Sequence, residues 1–323
     1  KQFGLDRWYG ANVAEDAGID VAARTRAESN KVSLVEYDIK MKLATDGLTF
    51  PYEGPVTAPA TRAAMSDLGF NDPLIAEQWN YYNLGDLSIA SSAYAGADIN
   101  IKDTWKTLTA GNPSVIVAVV DQGVDYTHPD LVPNMWVNEA EKNGKPGVDD
   151  DGNGYIDDVH GYNFVDGEGD INYDKSQDFD TGHGTHCAGI IGAVNNNGIG
   201  MAGVAGGTGN NDGVRIMSCQ IFSKGYGGET RYSSRAIKYA ADNGASVISC
   251  SYGYPGGTFM SDGEFLREDG AEAAAVRYFE ANKKNDALGG NIASYASGND
   301  GDPYAGYPGA LNDIVCVSAF GPD

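Results

Sequence analysis

The segment SVIVAVVDQGVDYTHPDL, residues 114–131, sets the architecture. Val115 to Val120 form an uninterrupted apolar run, almost all of it β-branched. Such a run reads as a strand buried on both faces, as in a parallel sheet covered by helices. It stops abruptly at Asp121, with Gln122 and Gly123 next. In open α/β sheets the chemistry gathers at the carboxyl ends of strands. A carboxylate placed there can hold an imidazole in one tautomer and stabilise the imidazolium that forms when it takes a proton.

The imidazole to match it lies in GHGTHCAG, residues 182–189, which holds two of the four histidines. His183 and His186 sit three apart where a helix starts, just ahead of AGIIGAV. Flanking glycines let the backbone turn tightly and let other groups approach. A histidine fixed in that way suits a general base. Asp121 is therefore expected to orient His183, and His183 to serve a nucleophile.

Working outward, the chain alternates strand and helix. Strands are expected at Val115–Val120, Val214–Phe222, Ser246–Ser251, Asn291–Ala296 and Ile314–Ala319. Helices are expected near Asp103–Thr109, His183–Val194, Arg231–Asn243 and Glu264–Asn282. This predicts an α/β fold, a largely parallel sheet with helices on both faces.

AVVDQGVDYTHPDL and GHGTHCAG resemble the aspartate and histidine motifs of the subtilisin-like serine proteases. ASYASGNDG, residues 293–301, resembles a third motif, in which Asn299 matches the side-chain donor to the oxyanion hole. SVISCSYG, residues 246–253, resembles the strand whose edge pairs with the substrate backbone, and FSKGYGGET, residues 222–230, the strand and loop opposite. NDPLIAEQWNYYNLG, residues 71–85, resembles the start of the mature domain. The resemblance implies catalytic roles for Asp121, His183 and Asn299. It implies a peptide or protein substrate bound as a strand by Gly225, Tyr226, Gly227, Ser251, Tyr252, Gly253 and Ser297. Tyr252 and Tyr254 read as aromatic walls accepting apolar side chains. The family's serine lies in a GTSMAAP-like segment, and no such segment occurs in these 323 residues. The expectation is a precursor or fragment, inactive by itself, whose serine lies in a missing C-terminal segment. A catalytically inactive binding module with the same fold is the alternative.

The first seventy residues read differently. Glu15 to Ala27 resembles a short amphipathic helix, and Val32 to Lys42 alternates into a strand. VSLVEYD resembles the end of the family's inhibitory propeptide, whose tail lies in the active-site cleft like a product. An ordinary α+β appendage is the other reading. Residues 44–70 hold three prolines among small polar residues and read as a linker open to maturation cleavage. The resulting division is a partial pro-segment at 1–43, a linker at 44–70, and a protease domain at 71–323 lacking its C-terminal part.

VDDDGNGYIDDVHG, residues 148–161, sets acids and an amide at alternate positions, with Gly154 where a calcium loop turns sharply. Asp149, Asp151, Asn153, the carbonyl of Tyr155 and Asp157 are its candidate ligands, with Asp158 in reserve. Five aspartates in ten residues would repel one another without a cation; a solvated acidic hairpin is the alternative. The resemblance implies a second calcium site from Asp130, the carbonyls of Val194 and Ile199, and Asn197 or Asn196. Gln78 loosely matches its amino-terminal ligand. Gly198, Gly200 and Gly203 spell G-x-G-x-x-G but follow a helix and lead into a loop, which does not fit dinucleotide binding. His128 and His160 have no partner set and read as structural.

The net charge of −23, from 45 acidic and 22 basic residues, excludes the basic face that nucleic acid requires. An apolar content of 41% supports a substantial core. No apolar run approaches the ~18 residues of a membrane span. The start KQFGLDRW lacks the basic-then-apolar pattern of a signal peptide, so any export signal was removed before Lys1. The resemblance implies a secreted, periplasmic or cell-surface protein. Cys187, Cys219, Cys250 and Cys316 all lie in small or apolar contexts and read as buried free thiols, although their even number also suits disulfides. Cys187 resembles the cysteine beside the catalytic histidine in the proteinase K branch, which implies sensitivity to mercurials.

Overall fold

The computed structural model describes residues 41–43, 68–85, 91–171, 182–223 and 226–322. The expected helix Glu15–Ala27, nearly all of the strand Val32–Lys42, most of the linker and Gly225 lie outside the described residues.

The strands are β1 (Lys42–Leu43), β2 (Ile116–Gln122), β3 (Gly161–Asn163), β4 (Arg215–Ser223), β5 (Tyr226–Gly227), β6 (Val247–Cys250), β7 (Tyr252–Gly253), β8 (Ile292–Ala296) and β9 (Val315–Val317). The helices are α1 (Ile101–Thr107), α2 (Glu139–Lys142), α3 (His183–Gly192), α4 (Thr230–Asp242), α5 (Asp262–Glu268) and α6 (Gly270–Ala281). The main sheet runs β3-β4-β2-β6-β8-β9, every neighbouring pair parallel, and β5 folds back antiparallel on β4. All five expected strands form, with ends displaced by one or two residues.

The valine run lies at the centre. Its alternate side chains feed two cores, one on each face of the sheet. Val117 and Val119 pack with Ala188 of α3, Leu131 and Ile216. Ala118 and Val120 pack with Ala236 and Ala240 of α4 and with Val276 and Phe279 of α6. Burying each valine stabilises the fold by about 1.5–3 kcal/mol, which is why the run carries no polar residue before Asp121. From β2 the chain adds strands on one side as β4 and β3, then on the other as β6, β8 and β9. The order therefore reverses at β2, the place where such sheets open a crevice at their carboxyl edge.

The structure departs from expectation in three places. The helix expected over Glu264–Asn282 is two helices, because Asp269 leaves helical geometry at φ −140° and ψ 55°. Its buried carboxylate accepts the Tyr254 hydroxyl at 3.0 Å, a side-chain bond that competes with continued helix. Strand β3 was not expected. It is too short for periodicity, and Gly161 gives it away only in three dimensions: at φ 131°, a Cβ there would lie 1.8 Å from the Ser218 carbonyl oxygen. All four cysteines are free, but only Cys219 and Cys250 are buried: Cys187 is half-buried, and Cys316 is exposed, since β9 is the last strand of the sheet among the described residues.

Leu68 is buried with Ile75, Tyr81 and Trp105 in a third cluster. No helix among the described residues is long and apolar enough to cross a membrane.

Candidate active site

Asp121 closes β2 with its side chain fully buried. Its Oδ1 accepts two hydrogen bonds, from the Gln122 backbone N–H at 2.7 Å and from His183 Nδ1 at 2.7 Å. His183 is the first residue of α3 and is 8% exposed. Its own backbone N–H donates to the Gln122 side chain at 3.2 Å. Thr185 Oγ1 accepts the Asp125 N–H at 2.9 Å, a second clasp between strand end and helix start. The glycines make the approach possible. Gly182 caps the helix at φ 72°, and a Cβ on Gly184 would stand 2.3 Å from the Gln122 carbonyl oxygen. With Nδ1 bonded to Asp121, Nε2 is the nitrogen left for a further partner. Burial works against a charge on His183, but the hydrogen bond and charge of Asp121, with Cys187 beside them, prevail and push its pKa up to about 10. His186 is exposed.

Cys187, one turn along α3, has its Sγ 3.9 Å from His183 Nδ1 and 3.6 Å from Ser251 Oγ. It therefore joins the histidine to the corner where β6 gives way to β7. Strand β7 is the edge expected to receive a peptide, and the chain's own β1 pairs with it antiparallel, Lys42 opposite Gly253 and Leu43 opposite Tyr252. On the other side the Met41 N–H donates to the Gly228 carbonyl at 2.6 Å. Residues 41–43 thus lie between the two expected binding segments. The contact on the β5 side falls on Gly228, one residue past Gly227, and Tyr226 and Gly227 form β5 itself. Met41 is buried in the same apolar cluster as Tyr252.

Tyr252 and Tyr254 do not line an open wall. Both are buried under the edge, with hydroxyls donating to Glu272 and Asp269, two acids that sequence reasoning missed. Ser297 and Asn299 follow β8 at the same carboxyl edge of the sheet as Asp121 and Ser251. The Ser297 N–H donates to Val317 at 2.9 Å, and Asn299 is exposed.

The sequence profile of the subtilase family matches residues 112–322, which hold Asp121, His183, Cys187 and both expected binding segments. The chain belongs to the subtilase family. The subtilisin-like protease 1 of Plasmodium vivax is 38% identical over 161 residues, 49% of this chain and 24% of that protein. The halolysin-like extracellular serine protease Nep of Natrialba magadii is 29% identical over 250 residues, 77% of this chain and 35% of that protein. The chain thus spans about a quarter to a third of these relatives. Among solved structures, fervidolysin from Fervidobacterium pennivorans, a keratinolytic enzyme related to subtilisin, superposes with a TM-score of 0.51 at 22% identity. That match covers 86% of this chain and 33% of fervidolysin, and it supports the fold.

This subtilase carries two acidic loops beside the sheet. In the 148–158 loop, Asp149 accepts the N–H groups of Asn153 and Gly154, and Asp157 accepts that of Gly147. Asn153 Oδ1 accepts the Tyr155 N–H. Asp151 instead faces Glu141 and Asp158, the three offering carboxylate oxygens within 4.8 Å of one another. Burial, opposed by hydrogen bonds from Tyr239, Asn153 and Asn138, pushes Asp158 up to about 6. This all-oxygen acidic set fits a hard cation such as calcium. Glu141 comes from α2, outside the motif read in the sequence.

In the second loop Asp130 is buried and accepts the Asn197 side-chain amide at 2.7 Å and the Met201 N–H at 3.0 Å. Its backbone carbonyl accepts the Val194 N–H, and Asn197 Oδ1 accepts the Ile199 N–H. Asp72 is the missed neighbour. It is buried, accepts the N–H groups of Asn196 and Asn197, and raises the Asp130 pKa by its charge, a lesser contribution than burial. Gln78 is turned elsewhere, its amide donating to and accepting from the backbone of Ala202. His128 accepts the Asp130 N–H and His160 bonds the Trp136 carbonyl, both structural contacts. Gly200 of the G-x-G-x-x-G string serves close packing, since a Cβ there would lie 2.3 Å from Asp130 Oδ2.

The raised pKa of His183 has a signed consequence. Its contribution to stability is fully present below the unfolded value of 6.5 and is lost as pH rises through the folded value of about 10. Asp121→Asn removes the charge that raises it. Histidine NMR titration of that variant is expected to show a lower His183 pKa and a flatter dependence of stability on pH over that window. An unchanged His183 pKa would show that Asp121 does not govern the imidazole.

Proposed function

We propose that this subtilase is the aspartate- and histidine-bearing part of a serine endopeptidase. The observation that carries the reading is the 2.7 Å Asp121–His183 hydrogen bond, set beside a slot that already holds a strand. In this reading a serine from sequence outside these 323 residues attacks the peptide carbonyl. In its neutral form, which with so raised a pKa is more abundant at alkaline pH, His183 takes the serine's proton at Nε2 and returns it to the leaving amine, while Asp121 holds the ring and stabilises the imidazolium. Asn299 donates to the tetrahedral oxyanion. The substrate adds as a strand against Ser251, Tyr252 and Gly253, with Gly225, Tyr226 and Gly227 opposite and Ser297 nearby. The 323 residues by themselves would not turn over.

The same reading takes residues 1–43 as part of an inhibitory pro-segment, 44–70 as its linker, and 71–323 as the protease domain. Its support is the position of Met41, Lys42 and Leu43 against the edge, where a cleaved product would lie. Lys42 and Leu43 pair with Gly253 and Tyr252, and maturation cleavage would fall in the linker that follows, 44–70. Calcium would be held by Glu141, Asp151 and Asp158, and by Asp130 with Asp72 and the 194–200 loop. Bound there, it would neutralise the acids and hold the loops. The extracellular relative Nep and the strongly acidic composition support export to a secreted, periplasmic or cell-surface location.

Three outcomes test this. In the complete protein, His183→Ala is expected to lower peptide hydrolysis by ~10⁴-fold or more with the fold retained, and normal turnover would remove the base assignment. Intact mass and amino-terminal analysis of the matured protein are expected to give a new first residue within the linker, between residues 45 and 70. A terminus beyond residue 70 would end the pro-segment reading. Chelation of calcium is expected to lower the melting temperature and its restoration to reverse the loss, whereas an identical transition would dismiss both metal sites.

A further inference from the structure

We infer that Glu272 is a positioning residue that sets the substrate edge against the strand bearing the oxyanion donor, an inference that rests on the endopeptidase reading. Glu272 lies in α6 and is 0% exposed. Its carboxylate receives three hydroxyls from three different elements. Ser233 of α4 donates to Oε2 at 2.6 Å. Tyr252 of β7 and Tyr295 of β8 both donate to Oε1, at 2.9 Å and 2.8 Å.

The two tyrosines connect this buried acid to the chemistry. Tyr252 is the residue whose backbone pairs with Leu43 at the peptide-receiving edge. Tyr295 stands one residue before the end of β8, from which Ser297 and Asn299 continue. Their rings meet edge-on with centroids 5.7 Å apart, and Phe222 of β4 closes on Tyr252 from the other side at 6.1 Å. Apolar side chains could fill this space without the cost of burying an acid. What they would lack is direction. A single oxygen shared by two phenols fixes where both hydroxyls stand, and through two stiff rings it fixes the offset between β7 and β8. Burial raises the Glu272 pKa against the pull of Ser233, Tyr295 and Tyr252, in keeping with an acid held only by these three hydroxyls.

The edge contacts an extended peptide, but a short activated ester reaches only the reacting centre. The complete protein, Glu272→Leu and Glu272→Gln should therefore be compared on both substrates, after fluorophosphonate titration of active sites. For Glu272→Leu, KM for an extended peptide is expected to rise about tenfold while kcat on the ester changes less than about twofold. Glu272→Gln keeps an accepting oxygen and is expected to recover most of the peptide KM. Tyr252→Phe, which retains the ring and removes one hydroxyl, is expected to shift KM in the same direction by about threefold, and it serves if the leucine variant does not fold. Equal losses on ester and peptide, or no change in peptide KM for any variant, would overturn the inference. A parent protein that takes no fluorophosphonate would overturn the endopeptidase reading instead.

Discussion

The contact between Asp121 and His183 joins the carboxyl end of the central strand to the amino end of a helix, and most of the surrounding design follows from making it. Both groups are nearly dry, so each would be costly to bury alone. Together they form a short, charge-assisted hydrogen bond, with the Gln122 N–H satisfying the same carboxylate oxygen. The helix must come almost into contact with the strand backbone to close that bond. Gly184 permits this, because any side chain there would meet the Gln122 carbonyl. Thr185 and the Gln122 side chain then lock the junction from both sides. Burial disfavours a cation here, so the raised pKa of His183 reflects how far the buried aspartate, with Cys187, outweighs the loss of solvent.

A junction so tight needs a rigid support, and the sheet supplies it by being buried on both faces. Val117 and Val119 press against α3, and Ala118 and Val120 against α4 and α6. Small residues on the second face let the helices come close. That face also holds the carboxylate of Glu272, below the edge where residues 42–43 lie. The sheet thus carries an ion-pair junction on one side and a hydroxyl-capped acid on the other, with the edge that pairs with residues 42–43 between them.

Much of this was legible in the chain itself. The valine run needed only hydrophobicity and β-branching to be read as a central strand, and the glycines about His183 announced a close approach. The subtilase motifs pointed to the edge on which β1 lies. What was not legible depends on long-range partners. Glu272 sits in an alanine-rich helix where a lone acid looks solvated, and only the fold brings Tyr252 and Tyr295 to it. Glu141 and Asp72 lie outside the acidic strings they join. Tyr252 and Tyr254 have the spacing of an exposed aromatic wall, but alternation along the edge turns both inward. Asp269 breaks a helix for the sake of a tyrosine hydroxyl, a bond with no signature in local propensity.

The distribution of charge follows the same logic of distance. A chain carrying −23 should repel itself, yet Asp149 and Asp157 of the 148–158 loop are already answered by backbone N–H groups within ten residues. Such local donors orient a carboxylate without removing its charge. The repulsion that remains is concentrated where three acids from two segments converge, at Glu141, Asp151 and Asp158. Asp158 responds by holding its proton more tightly than a free aspartate, and burial is the main cause. Asp130 and Asp72 repeat the pattern in the second loop, each buried and each shifted in the same direction. In both places part of the residual charge is buried, on Glu141 and Asp158 in one and on Asp130 and Asp72 in the other. Exposed acids can be screened by salt and water, but inward-facing ones can be relieved only by a proton or by a cation that enters the loop.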